Sequence, residues 1–518
     1  MSESLEHRLS VLAPFGDGIW ADMLTGIERE TLRVEPNGHL SQQPHPAALG
    51  SALTHRYITT DFSEAQLEFV TPACSSPRAA LDWLDQVHQF AAARIGEERF
   101  WNSSMPGPLG VEASIPIAHY GSSNVARMKT IYRRGLSHRY GRPMQTISGV
   151  HFNFSLPEAF WQAYAALAKE PAAAVQSSGY LALARNFRRH AWLVLYLYGA
   201  SPAMCRTFLD GQRNSLAEFD RDTLFEPYAT SLRMSDLGYS SNAQSGLVIS
   251  LNSIQEYVDD LTAAIMTPHA PYAEIGVEVG GQWRQLNTSI LQIENEYYSS
   301  VRPKQVARSG ERPTLALQRA GVQYVEVRCL DINPYEPTGI SEAQCYFMQA
   351  MLAWCAVRES RLLDRAELKE ANGNYLVVAH SGRSPALELK RNGEITLLSD
   401  WASELLQGIE AVAVAMSGED GPHARAVRAE RGTLTGEREV LSARVLREMR
   451  EAEQSFVGFT EALSDRHHVH WLNAAPMPEA RFSELRAEVV VSLERQRELE
   501  ARAQTSFTDY LKDYYRDA

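Results

Sequence analysis

Four short stretches of this chain each read as a β-strand and set two chemistry-bearing side chains two positions apart: Glu28 and Glu30, Gln66 and Glu68, His151 and Asn153, Glu326 and Arg328. Alternation marks a β-strand, whose successive side chains point to opposite sheet faces, so the members of each pair share one side. Ala65, Leu67 and Phe69 form the apolar face of the second stretch, Val150, Phe152 and Phe154 that of the third, and Val325, Val327 and Cys329 that of the fourth. If the strands pair, one sheet face becomes a floor of carboxylates. Glu28 and Glu30 alone, about 7 Å apart along a strand, repel by roughly 2.4 kcal/mol at an effective dielectric of about 20. Proton uptake or bound cations must relieve that strain.

Taken singly, each pair also reads as a solvated strand face, which is common in antiparallel sheets. Together the four pairs contain no Lys, Ser or Thr and supply carboxylates, an imidazole, amides and one guanidinium. Such an oxygen-rich set suits Mg²⁺, which binds carboxylates and substrate phosphates while keeping water, and His151 extends the set toward Mn²⁺.

A length of 518 residues suggests about three domains or one large sheet-based enzyme. The composition, 44% hydrophobic and 22% charged, is that of a globular protein, and a net charge of −13 argues against nucleic-acid or anionic-membrane partners. The N-terminus MSESLEHRLS carries no apolar leader, and the longest apolar run, residues 191–204, is too short to cross a bilayer and reads as a buried helix. Five scattered cysteines without CxxC spacing fit reduced thiols in the cytoplasm.

Asn37-Gly38 marks a hairpin turn after the first strand. Helical periodicity is expected over residues 78–95 and 160–198, and strands over 247–251, 285–293 and 323–330. Long connections favour an antiparallel or mixed sheet. Beyond residue 338 the chain turns helical apart from a hairpin at Asn392-Gly393, and from Arg431 onward it is dense in Glu, Arg and Ala. The run RHHVH at residues 466–470 lacks metal-spaced partners and reads as a solvated loop. Residues 130–141 (TIYRRGLSHRYG), 228–239 and the segment with Tyr298 and Arg302 place Arg and Tyr in polar, loop-like sequence suited to small anionic or zwitterionic substrates.

The chain contains no GxxxxGK[ST], GxGxxG, HExxH or GxSxG. Walker, dinucleotide-fold, zincin and α/β-hydrolase chemistries lose their usual signatures, which leaves a nucleotide held through divalent ions on a sheet.

The strings GIERETLRV, ALTHRYITTDFSEAQLEFVTP, MQTISGVHFNFSLP, YATSLRMSDLGY, LQIENEYYSSVRPK and YVEVRCLDINP carry a specific resemblance. Over residues 20–360, and more loosely beyond, the chain resembles the proteobacterial glutamate–cysteine ligases, or γ-glutamylcysteine synthetases. The resemblance implies an α+β fold in which a glutamine-synthetase-like antiparallel sheet forms a funnel-shaped active site, with a catalytic domain over residues 1–365 and a mainly helical region over 366–518. It implies ATP-dependent ligation of the γ-carboxylate of L-glutamate to the amine of L-cysteine through γ-glutamyl phosphate, the first step of glutathione synthesis. A related ligase with a different acceptor amine is the alternative, and a non-catalytic metal- or nucleotide-binding protein is the reading from another class.

By the same resemblance Glu28, Glu30, Asp61, Glu68, His151 and Glu326 would ligate about three Mg²⁺ ions. Arg328 would contact the transferring phosphoryl group, and Asn153 would lie near the nucleotide phosphates. Gln145 and Arg233 would hold glutamate, while Tyr132, Arg133, Tyr239 and Tyr298 would form or border the cysteine pocket. Glutathione would be a feedback inhibitor, and a cytoplasmic monomer is expected. The chain departs from the family at Ser299-Ser300, where Ala-Pro is common, which implies a less rigid loop beside Tyr298.

Overall fold

The four alternating stretches are strands of one antiparallel sheet. In the computed structural model, which describes residues 4–209, 211–238, 243–244, 246–308 and 310–516, the strands are β1 (Leu24–Val34), β2 (Ile58–Thr60), β3 (Gln66–Val70), β4 (Arg99–Phe100), β5 (Val150–Ser155), β6 (Val301–Lys304) and β7 (Tyr324–Leu330). Their order is β6-β7-β5-β1-β3-β2, with β4 on the far end of β1. The apolar faces go where alternation sends them: Leu67, Phe69, Val150, Phe152, Phe154, Val325 and Val327 are fully buried against helices.

Those helices include α1 (Pro77–Ala92), α2 (Asn124–Tyr140), α3 (Ala172–Tyr198), α4 (Glu342–Val357) and α5 (Arg365–Ser381). The apolar run that ends α3 lies in the core with α4, whose inner surface is apolar almost all round. The expected hairpin is present as Glu388–Arg391 against Glu394–Leu397, with Asn392 and Gly393 both at positive φ as a tight primed turn requires. All five cysteines are free and buried. No helix among the described residues is long and apolar enough to cross a membrane.

Several elements differ from the sequence reading. The helix expected over 160–198 is two helices, because Lys169 takes a left-handed cap and Pro171 cannot continue the first. Residues 247–251 and 285–293 form no strand. Their polar atoms are met by side chains instead, with Asp260 accepting from the Ser250 amide and Gln292 accepting from the Leu286 amide. The loop-like TIYRRGLSHRYG is the body of α2, whose capping residue, Ser123, lies upstream of that window. The RHHVH run also lies in a helix, Phe456–Asn473, with His467 and His468 buried and His467 bonded to the Pro334 carbonyl at 3.0 Å.

Candidate active site

Register brings the polar pairs together. Glu28 lies opposite His151, Glu30 opposite Glu68, and Glu326 opposite both Asn153 and Arg302, so all project from one face of the sheet. Glu30, His151 and Glu326 on that face are buried, while Glu28, Glu68, Asn153 and Arg328 are half-buried.

His151 sits at the centre, its Nδ1 at 3.1 Å from Glu28 and its Nε2 at 3.4 Å from Glu30. Asn153 donates to Glu28 at 2.8 Å, and the Gly149 amide donates to Glu30 at 2.8 Å. On β7, Arg328 reaches Glu326 at 3.3 Å and His151 Nδ1 at 3.4 Å. Lys304 lies 3.3 Å from Glu326, and Arg302 lies 4.0 Å from it. Lys304 escaped the sequence reading although Arg302 and Lys304 obey the same two-residue spacing on β6.

The carboxyls respond differently to this crowding. Burial pushes the Glu68 carboxyl well above its usual range, and Glu28, Asp61 and Glu30 push it further. Burial also raises Glu30, with Asp61 adding to it against His151. Burial acts on Glu326 in the same direction but is outweighed by Lys304, Arg328 and Arg302, which hold that carboxyl well below its usual range. For Glu28 the upward push of burial is exceeded by the His151 hydrogen bond and nearby charge, so its carboxyl lies lower than usual.

The donor set suits a hard divalent cation. One atom each from Glu28, His151 and Glu326 lie within 4.8 Å of one another. Glu326 Oε2 and Asn153 Oδ1 are buried oxygens that accept no hydrogen bond. Carboxylate oxygens left in this state are what Mg²⁺ or Mn²⁺ coordinates.

Arg233 enters from the short 3₁₀ helix Leu232–Met234, which Ser231 caps. It donates to the Arg328 carbonyl at 3.0 Å and pairs with Asp331 at 3.6 Å, and Asp331 is fixed by Ser201, Ser231 and the Ala200 amide. Gly149 makes room for it, since a Cβ there would stand 2.0 Å from the Arg233 guanidinium. Gln145 donates to the Tyr298 hydroxyl at 3.3 Å. Ser299 is anchored, accepting from Arg188 and donating to the Val301 carbonyl, both at 2.8 Å. A cavity of about 630 Å³ lies here, lined by Arg233, Tyr298 and Arg328 together with Arg188, Asn372 and Tyr375. Gln66 is spent on structure, bonding the Ile147 carbonyl and Ser148. Tyr239 lies outside the described residues.

Comparisons with known proteins identify the family. A family model described as glutamate-cysteine ligase matches residues 15–378. A glutamate–cysteine ligase of Pseudomonas putida is 51% identical over 471 residues, covering 90% of each chain. The chain belongs to the glutamate–cysteine ligase family. A family member from Azotobacter vinelandii is 47% identical over 523 residues, covering 99% of this chain and 98% of that one. A crystal structure of the Francisella tularensis ligase in complex with AMP superposes with a TM-score of 0.91 at 38% identity, covering 96% of this chain and 98% of that one. The α+β architecture with its helical C-terminal region is therefore that of the ligase family.

Proposed function

We propose that the chain joins the γ-carboxylate of L-glutamate to the amine of L-cysteine with ATP, releasing ADP and phosphate and opening glutathione synthesis. The observation that carries this reading is the placement of Arg328 between Glu326 and His151 on a buried carboxylate floor. Such a floor draws divalent cations, and a guanidinium among them meets a transferring phosphoryl group.

In this reading Glu28, Glu30, Asp61, Glu68, His151 and Glu326 hold about three Mg²⁺ ions, with Mn²⁺ tolerated. When bound, the ions neutralise the triphosphate and let an anionic carboxylate approach it. Arg328 steadies charge on the phosphoryl group as it moves toward glutamate, and Asn153 orients the phosphates. Gln145 and Arg233 fix glutamate so that its γ-carboxyl faces the nucleotide, and Asp331 keeps Arg233 aimed. The carboxylate oxygen attacks the γ-phosphorus, the bond to ADP breaks, and γ-glutamyl phosphate forms. The neutral amine of cysteine then attacks the acyl carbon and phosphate leaves, with Tyr132, Arg133, Tyr239 and Tyr298 bordering its pocket.

Further parts of the reading follow. Glutathione carries the γ-glutamyl-cysteinyl unit of the product and competes for both amino-acid pockets. The protein works as a cytoplasmic monomer. Residues 1–365 form the catalytic unit, and residues 366–518 pack on it as a helical cover.

The test is ADP release measured with each amino acid omitted in turn. The reading requires dependence on ATP, glutamate and cysteine together. Equal or better turnover with 2-aminobutyrate or a polyamine would assign the chain to a ligase of another acceptor, and no ADP release under any combination would refute catalysis.

A further inference from the structure

Helix α2 presents Lys129, Tyr132 and Arg133 three and four residues apart, hence on one stripe. Arg133 is already occupied. Its Nε donates to the Asp61 carbonyl, and its terminal nitrogens reach the Lys129 carbonyl at 3.0 Å and the Thr60 carbonyl at 3.5 Å. Its guanidinium also lies 4.6 Å from the centroid of the Tyr120 ring. The residue is a strut that ties α2 to the loop presenting Asp61.

Lys129, one turn earlier, is different. Its ammonium lies 5.2 Å from the centroid of that same ring and makes no hydrogen bond or ion pair with any described residue. The Tyr120 hydroxyl is fixed by the Thr60 and Asp61 carbonyls at 2.8 and 3.1 Å, which places the ring at the end of β2. Residue Thr59 of β2 lies opposite Glu68, so the ammonium stands beside the Glu68 end of the floor. Burial, with Arg133 adding to it, brings the Lys129 ammonium down to about 8, and the Glu68 carboxylate opposes this. An ammonium partly withdrawn from water and met only by an aromatic face is stabilised further by an anion.

The acceptor amino acid brings such an anion. Its amine must lie near the acyl carbon, and its α-carboxylate must be met by a cation. Arg302, Lys304 and Arg328 converge on Glu326, Arg233 pairs with Asp331, Arg133 is spent on main-chain carbonyls, and Arg188 is bonded to Ser299 and Asn372. We propose that Lys129 binds the α-carboxylate of the acceptor amino acid and thereby sets the preference for α-amino acids over simple amines. The proposal rests on the ligase reading above and adds to it a specificity residue that the sequence reading passed over.

The experiment compares cysteine with cysteamine, which has the same amine and thiol but no carboxylate, in the full-length protein with Mg²⁺ and ATP. The unmutated protein is expected to show a KM for cysteamine higher than that for cysteine by about 10–100-fold, the range of one charge-assisted hydrogen bond. Lys129→Gln should raise the KM for cysteine by a similar factor, leave those for cysteamine, glutamate and ATP within about twofold, and keep its melting temperature. Lys129→Arg should restore part of the cysteine KM. If the unmutated protein uses both acceptors equally well, the proposal is overturned without recourse to any variant. A folded Lys129→Gln whose KM values for cysteine and cysteamine are unchanged, or rise together, overturns it as well. If the unmutated protein releases no ADP with glutamate and cysteine, the ligase reading fails first, an outcome distinct from these.

Discussion

The two ends of the polar floor are built from the same residue type and behave in opposite ways. At the β7 end Glu326 is met by Lys304, Arg302 and Arg328, and three cations around one carboxylate hold it in its charged form. At the β3 end Glu30 and Glu68 face each other in register with Asp61 nearby, and burial and mutual repulsion favour their protonated forms. Glutamates on strands of one sheet therefore differ in role because of what stands opposite them. One end supplies guanidinium for an anionic substrate, and at the other burial and neighbouring acids outweigh the positive charge within reach.

The sharpest way to break this comparison is Glu68→Gln. An amide in place of a carboxyl that already favours its proton costs the fold nothing, so the melting temperature should hold or rise, while kcat should fall by about 10²–10³-fold. Near-normal turnover by a folded variant would remove Glu68 from the ion-binding set. At the other end Glu326→Gln should do the reverse to stability, leaving three cations without their shared partner. Denaturant unfolding should show a loss of about 3 kcal/mol, the lower range for breaking a buried pair, since Lys304 and Arg328 keep partial access to water. No measurable loss would mean that the cations are solvated separately.

Mg²⁺ should raise the stability of the unmutated protein by about 2.7 kcal/mol at a hundred times its dissociation constant, and much less in Glu28→Gln. Equal thermal shifts in both would place the ion elsewhere. The smallest expected effect is on pH dependence in the chelated, metal-free protein. Glu30 and Glu68 have folded-state values above the unfolded value, so the folded state holds more protons there and stability declines as pH rises from the unfolded carboxylate range through their raised values. Glu326 is depressed, so its contribution is present above the unfolded value and is lost only as pH falls through its lowered one. Glu68→Gln should flatten the first trend and leave the second, as thermal melts across pH would show.

Much of this was legible in the chain itself. Alternation at Ala65–Leu67–Phe69 and Val150–Phe152–Phe154 fixes which side of each strand is apolar, and all six side chains are fully buried. Period-two spacing also predicts that Glu28 and Glu30 share a face. It says nothing about β1's other face, which carries Arg29 and Arg33. Arg29 is buried against His88 and Asn102, and Arg33 pairs with Glu98 at 2.5 Å. A buried guanidinium is tolerated only where distant residues supply acceptors, and no local pattern announces those. The same limit hid α2 behind its Arg-rich composition and hid the strandless course of residues 285–293.

The sequence by itself determined four strands of the sheet and the polar pairs each would carry, because a strand's side-chain period is a local property of the backbone. Only the tertiary structure decided that Glu30 meets Glu68 while Glu326 meets cations, and that Lys129 faces the Tyr120 ring with no hydrogen bond or ion pair among the described residues where Arg133 is tied down. Those outcomes depend on register and on approach between residues far apart in the chain, and the electrostatic environment of a carboxyl or an ammonium is a sum over such neighbours.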